Sequence, residues 1–134
     1  MDTSFYIQLQ GKLKEKPAMY YDIDLCDNQK QVREISKKHK VICYFSAGTS
    51  EDWRPDFKSF PKSAIGKPLE WKGENWLDVR NLDVRSIMKK RLDLAKDSGC
   101  YGVDPDNMDV YTQKSGFTIS KSEQIDYNTF IANE

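Results

Sequence analysis

A single histidine, three cysteines and no net charge are the sparse features of this 134-residue chain, and each scarcity closes off a class of chemistry. His39 alone cannot supply the imidazoles of a zinc site, and Cys26, Cys43 and Cys100 show no CxxC spacing, so neither a zinc centre nor a dithiol redox pair is expected. The three read as core thiols, with Cys43 inert in mid-strand. Lys plus Arg and Asp plus Glu both number 21, and no basic run exists that could track a phosphate backbone, which argues against nucleic acid. No apolar run reaches 18 residues, and no basic segment with an apolar core opens the sequence. A membrane partner is therefore not expected, and the chain as written reads as soluble and not addressed to secretion. Mean hydropathy is low at -0.76. Yet 7 Tyr, 6 Phe and 3 Trp argue against disorder, and the length suits one domain over residues 1–134.

What is present is patterned. "FYIQL" (5–9) reads as a strand ending near Gly11, and "AMYYDIDL" (18–25) as a second, with Tyr20, Asp22 and Asp24 on one face and Tyr21, Ile23 and Leu25 on the other. Asp27 and Asn28 suit the cap of a helix to Lys38, in which Val32 and Ile35 turn inward and His39 follows as a dipole-compensating residue. "VICYFSAG" (41–48) is nearly continuous in apolar residues and reads as a strand buried on both faces. A strand, a helix and a strand in succession imply parallel pairing. Residues 49–82 read as a long irregular loop rich in Trp, Pro and Gly. Asp83 is the expected cap of a helix carrying Val84, Ile87, Met88, Leu92 and Ala95 inward and closed by Gly99. A strand over 101–106 follows. Ser120 to Glu123 has the form of a capping box, opening a last helix with Tyr127, Phe130 and Ile131 as its buried residues.

In a parallel α/β architecture, ligand chemistry gathers beyond the carboxyl ends of the strands. Asp22 and Asp24, Ser46 to Asp52, and Asp104 to Asp109 all fall at or past such ends, so three strands are expected to converge on one acidic mouth. Paired carboxylates with Trp, Tyr, Asn and Arg nearby are the equipment of glycoside hydrolysis, in which one acid protonates the leaving oxygen and another stabilises or attacks the developing cation. Asp22 reads as structural, hydrogen-bonded between strands, and Asp24 as the substrate contact. A polar turn is the bland alternative for "DPDNMD". A calcium loop fails, because Met108 and Asp109 stand where an EF-hand needs Asp or Asn and Gly. Ser46 lacks a GxSxG elbow, so acyl transfer is disfavoured.

The stretches "YYDIDL", "VICYFSAGTSEDWRPD", "GKPLEWKGENWLDVRN", "VRSIMKKRLDLAKDSGCYGVDPDNMDVY" and "GFTISKSEQIDYNTFIA" resemble, in order and over nearly the whole chain, the GH114 glycoside hydrolases, a family that includes endo-α-1,4-polygalactosaminidases. The resemblance implies an α/β fold of the (β/α)8 TIM-barrel type, here about four strands with their helices. A full barrel of this kind takes about 250 residues. It also implies hydrolysis of a galactosamine-containing polysaccharide with no metal or organic cofactor. Asp106 first and Asp104 second inherit the catalytic carboxylate at this strand end, and Tyr44, Ser46, Trp53, Arg54 and Asn107, with Asp24, line the sugar cleft. The second catalytic carboxylate of the family is expected on a later strand. Self-association through open sheet edges is a further expectation.

Overall fold

A computed structural model describes residues 3–27 and 29–134. In chain order its elements are β1 (Phe5–Gln8), β2 (Tyr20–Asp24), α1 (Gln29–Ile35), β3 (Lys40–Ser46), β4 (Thr49–Glu51), β5 (Ile65–Pro68), β6 (Glu74–Leu77), α2 (Leu82–Asp97), β7 (Gly102–Asp106) and α3 (Lys121–Asn133). They fall into two compact units. One runs through Phe45 and takes in Arg91–Pro105; the other comprises Ser46–Lys90 and Asp106–Glu134.

The first unit carries the sheet ordered β1-β2-β3-β7. β1 with β2 and β2 with β3 are parallel, placing Asp22 opposite Ile7 and Ile42, and Asp24 opposite Tyr44. The two-residue period of β2 sends Tyr21, Ile23 and Leu25 to zero exposure beside Val41, Cys43, Val32, Ile35 and Ala95, the core expected from the sequence. Full burial of each large aliphatic there contributes about 1.5–3 kcal/mol. β3 alternates instead of being buried on both faces: Val41, Cys43 and Phe45 are buried, while Ile42 and Tyr44 are only partly covered. Pro105, which lacks an N–H, is tolerated because β7 lies at the edge of the sheet.

Three expectations for this unit change. The helix is α1, ending at Ile35 and not Lys38, and Asn28 lies outside the described residues. His39 does not serve a helix dipole, which a seven-residue helix scarcely develops. Its Nδ1 meets the Ala18 carbonyl, its Nε2 lies 3.1 Å from Glu15 Oε1, and its ring packs at a tilt with its centroid 4.7 Å from that of Tyr21, fastening the entry to β2. The cysteines are not all thiols: Cys43 and Cys100 form a disulfide, and Cys26 stays outside it. The cause is strand pairing, since the Tyr101 N–H donates to the Val41 carbonyl at 2.8 Å and so seats Cys100 beside β3.

In the second unit, residues 49–82 are not a loop. They fold as an antiparallel sheet ordered β4-β6-β5, with Thr49 opposite Trp76, Ser50 opposite Asn75 and Glu51 opposite Glu74. The strands hold only three or four residues and include Gly66 and Pro68, so no periodic run advertises them. α2 is capped by Asn81, not Asp83: Asn81 Oδ1 accepts the N–H of Asp83 at 2.8 Å and of Val84 at 3.2 Å. Asp83 sits inside the first turn, where its charge meets the helix dipole. The capping box of α3 is present, with Ser120 Oγ accepting from the Glu123 N–H and Glu123 Oε1 from the Ser120 N–H. Tyr127 and Ile131 are buried as expected. Gln124 joins them, accepting the Tyr111 N–H at 3.2 Å, whereas Phe130 is only partly covered. The Tyr127 hydroxyl donates to the Ala47 carbonyl and pins α3 to the turn after β3. Among the described residues no helix is long and apolar enough to cross a membrane.

The disulfide closes a sequence separation of 57 residues. Reducing it, or replacing both Cys43 and Cys100 by Ala, is expected to lower unfolding free energy by about 4 kcal/mol on chain-entropy grounds, measured by urea denaturation with and without dithiothreitol. Cys26→Ser should leave the midpoint within about 0.5 kcal/mol.

Candidate active site

In the first unit the face of the sheet opposite the core carries acids. The ideal Cβ direction of Gly102 points at Ile42 Cδ1, 3.3 Å away, so Gly102 and Asp104 share the face of Ile42 and hence of Asp22. Asp24 is 1% exposed, and its Oδ1 accepts the N–H of Cys26 at 2.9 Å and of Asp27 at 2.8 Å, an Asx-type turn that ends β2. Tyr44 stands opposite it on β3. Asp22 is 7% exposed and its Oδ1 has no hydrogen-bond partner. Burial first, then the hydrogen bond to the Asp104 side chain and the charge of that carboxylate, push Asp22 up to about 7. A carboxyl raised in this way keeps its proton to near neutrality, the condition for an acid that still donates there.

In the second unit a polar chain runs from the end of β7 to the inserted sheet. Asn107 Nδ2 donates to Ser46 Oγ at 2.9 Å, Ser46 Oγ pairs with Thr49 Oγ1, and Thr49 Oγ1 donates to Glu74 Oε1 at 3.0 Å. Asn107 adopts φ 60°, a left-handed conformation that Asn tolerates better than most residues, and its N–H donates to Asp106 Oδ1 at 2.9 Å. Gly48 makes this turn possible: a Cβ there would lie 1.9 Å from the Asn107 carbonyl oxygen. Glu51 and Arg54, both buried, form a two-pronged pair, with Nε to Oε1 and Nη2 to Oε2 each at 3.2 Å. Glu74 is raised above the usual carboxylate range, by burial first and further by the charges of Glu51 and Asp106, against the lowering effects of Thr49 and Arg54. Trp53 remains 52% exposed, with the Arg54 guanidinium 5.9 Å from its ring centroid.

Of the residues singled out from sequence, Asp24, Tyr44 and Asp104 lie in the first unit. Ser46, Trp53, Arg54, Asp106 and Asn107 lie in the second. Reasoning from sequence gave no individual role to Thr49 and Glu51, within the stretch 46–52 that it put at a strand end, or to Glu74; Asp22, read as a strand-to-strand hydrogen bonder, does bond the Asp104 side chain of β7 and leaves Oδ1 without a partner. The β4–β6 register brings Glu51 opposite Glu74, and no local motif announces it; the acid inside "WKGENW" was the one available signal. Among the described residues no group of three or more His, Cys, Asp or Glu could hold a metal ion.

Two outcomes follow from these geometries. Because folding raises the Asp22 pKa from about 3.9 to about 7, the native state binds the extra proton between those values. The stabilisation is full below pH about 4 and is lost as pH rises to about 7. Asp22→Asn should flatten that slope, read as the urea midpoint from pH 4.5 to 8. Gly48→Ala should cost about 1–3 kcal/mol through overpacking against Asn107, read as a lowered midpoint at constant m-value.

The family model for glycoside-hydrolase family GH114 matches residues 1–134. The chain is 41% identical to Aspergillus fumigatus Ega3, whose crystal structure is a complex with galactosamine; the match covers 98% of this chain and 55% of that one, with a TM-score of 0.87. The glycoside hydrolase domain of PelA from Pseudomonas aeruginosa shares the fold, at a TM-score of 0.63 and 13% identity, over 97% of this chain and 51% of that one. No curated protein matches. The chain thus spans about half the length of the solved structures it resembles, and its parallel sheet and flanking helices are a mixed α/β fold similar to theirs. A match along its entire length places the chain in a family: it belongs to glycoside-hydrolase family GH114.

Proposed function

We propose that this chain acts in hydrolysis of O-glycosidic bonds in an α-1,4-linked, galactosamine-containing polysaccharide, as one domain of the (β/α)8 type contributing four parallel strands with their helices. The observation that carries the reading is the carboxyl that ends each of two strands of the sheet, Asp24 on β2 and Asp106 on β7, with Asp22 and Asp104 two residues before them, in a chain of this family. Galactosamine is the sugar bound by Ega3, and a protonated amine gains from nearby carboxylates.

Asp106 is the first candidate for the catalytic carboxylate: it is exposed at the strand end, and the Asn107 N–H fixes its Oδ1. Asp104 is the second. Trp53 offers a half-open ring for stacking on a sugar face, Tyr44 and Asn107 supply hydroxyl and amide groups, and the buried Ser46 serves by accepting the Asn107 amide. Asp24 and Arg54, both buried, serve the sugar by holding the turn after β2 and the Glu51 carboxylate in place. The chemistry requires no metal or organic cofactor.

A second reading rests on the sheet edges. β1 and β7 are the outer strands of the first unit's sheet, and unpaired edges invite pairing with another chain. In that reading the chain binds sugar without cleaving it and self-associates.

Release of reducing ends from partly deacetylated α-1,4-galactosaminogalactan discriminates between the two. Turnover that falls by about 10²- to 10⁴-fold in Asp106→Asn supports the hydrolase; no turnover from a folded wild-type chain leaves the binding reading. Sedimentation at micromolar concentration should show dimers or larger species, and a clean monomer would refute the edge-pairing expectation.

A further inference from the structure

Trp71 has no part in the core or in the site described above. An indole buries a large apolar surface wherever packing calls for it, yet Trp71 is 66% exposed and Trp53 52%. Both leave the inserted sheet at the same end. Glu51, the last residue of β4, stands opposite Glu74, the first of β6, so Trp53 just beyond the one and the β5–β6 turn carrying Trp71 just before the other emerge together. The turn is held in place: the Leu69 N–H donates to the Glu74 carbonyl at 2.9 Å, the Glu74 N–H to the Trp71 carbonyl at 3.2 Å, and the Asp52 N–H to the Gly73 carbonyl at 3.0 Å. Gly73 permits that approach, because its φ is 87° and a Cβ there would lie 2.5 Å from Asp52 Oδ1. The turn thus starts from Glu74, which is joined through Thr49 and Ser46 to Asn107 and feels the charge of Asp106.

We propose that Trp71, with Trp53, forms a stacking platform for further units of a hexosamine polymer, so that this protein takes a polysaccharide in preference to a single sugar. The inference rests on the sugar reading above and names the part of the substrate that the inserted sheet holds. The surroundings of the rings favour this occupant over a protein. The centre of a protein contact is depleted of charge, whereas Trp71 lies between the exposed Glu70 and Lys72, and Trp53 between the exposed Asp52 and the Arg54 guanidinium. Rings set among solvated charges suit a ligand that is itself amphipathic. A sugar lays its C–H face on an indole and keeps its hydroxyls in water or takes the indole N–H. Of the exposed charges beside the rings, Asp52 and Glu70 attract the amines of such units and Lys72 opposes them, so the gain comes from stacking and salt leaves it unscreened.

The test is calorimetric titration of wild type, Trp71→Ala and Trp71→Phe with galactosamine and with long, partly deacetylated α-1,4-galactosaminogalactan oligomers, at low and high salt. The Trp71 indole N–H resonance of the wild type is followed in parallel, which decides the matter even if a variant does not fold. Trp71→Ala is expected to bind the oligomer about five- to tenfold more weakly, by the same factor at both salt concentrations. Galactosamine should titrate that variant as it does the wild type, Trp71→Phe should recover most of the loss because it keeps a flat ring, and the indole resonance should move on saturation with oligomer. Oligomer binding that leaves the resonance and the Trp71→Ala affinity unchanged overturns the platform while leaving the sugar reading intact. An equal loss of galactosamine affinity in folded Trp71→Ala overturns it too, because Trp71 then serves the single-sugar site. A change in the sedimentation of Trp71→Ala with oligomer affinity intact assigns the rings to a contact between copies and likewise overturns it. No binding of oligomer or galactosamine by the folded wild type overturns the sugar reading and this inference with it.

Discussion

Strand alternation on β2 is the constraint from which the first unit follows. Successive side chains point to opposite faces, so "YYDIDL" must commit Tyr21, Ile23 and Leu25 to one side and Tyr20, Asp22 and Asp24 to the other. The apolar side gathers α1, β3 and the end of α2 into a core with no exposure at its centre. The acidic side is then fixed in direction, and a one-residue slip in register would bury both acids in the core and expose the aliphatics. Packing and chemistry therefore rest on one two-residue period.

The second unit solves a different problem, the support of a strained strand end. Asp106 is followed by Asn107 in a left-handed conformation, held by Ser46 and fitted against Gly48. Strain of this kind persists only where the surroundings over-determine it, and such positions cluster at functional sites. The inserted sheet contributes Thr49 and Glu74 to that support, through the bonds that continue from Ser46. Removing Arg54 would take from the buried Glu51 carboxylate its two-pronged partner, a costly loss for a buried charge.

Parts of both units were legible in the sequence because their signals are local. The faces of β2, the core positions of α2 and the capping box at Ser120 are each written within a few residues. What was hidden depends on partners distant in sequence. Cys43 and Cys100 are linked across 57 positions by the pairing of β3 with the segment entering β7. The β4-β6-β5 sheet is built from strands too short for a period to show. Asn81 and Asp83 both suit a helix start, and only the observed acceptor distinguishes them. Asp104, Asp106 and Asn107 could be found because "DPDN" is a compact pattern; Glu74 could not, because its place depends on the register of a hairpin sheet.

The central claim is that these acids serve a cationic sugar polymer. The most direct measurement is the affinity of the unmodified chain for α-1,4-galactosaminogalactan oligomers that are partly deacetylated, compared with fully acetylated oligomers of the same length. The account predicts tighter binding of the deacetylated oligomer, with the preference shrinking as salt screens the amines. Equal affinity for the two, or binding of neither by a folded chain, would contradict it.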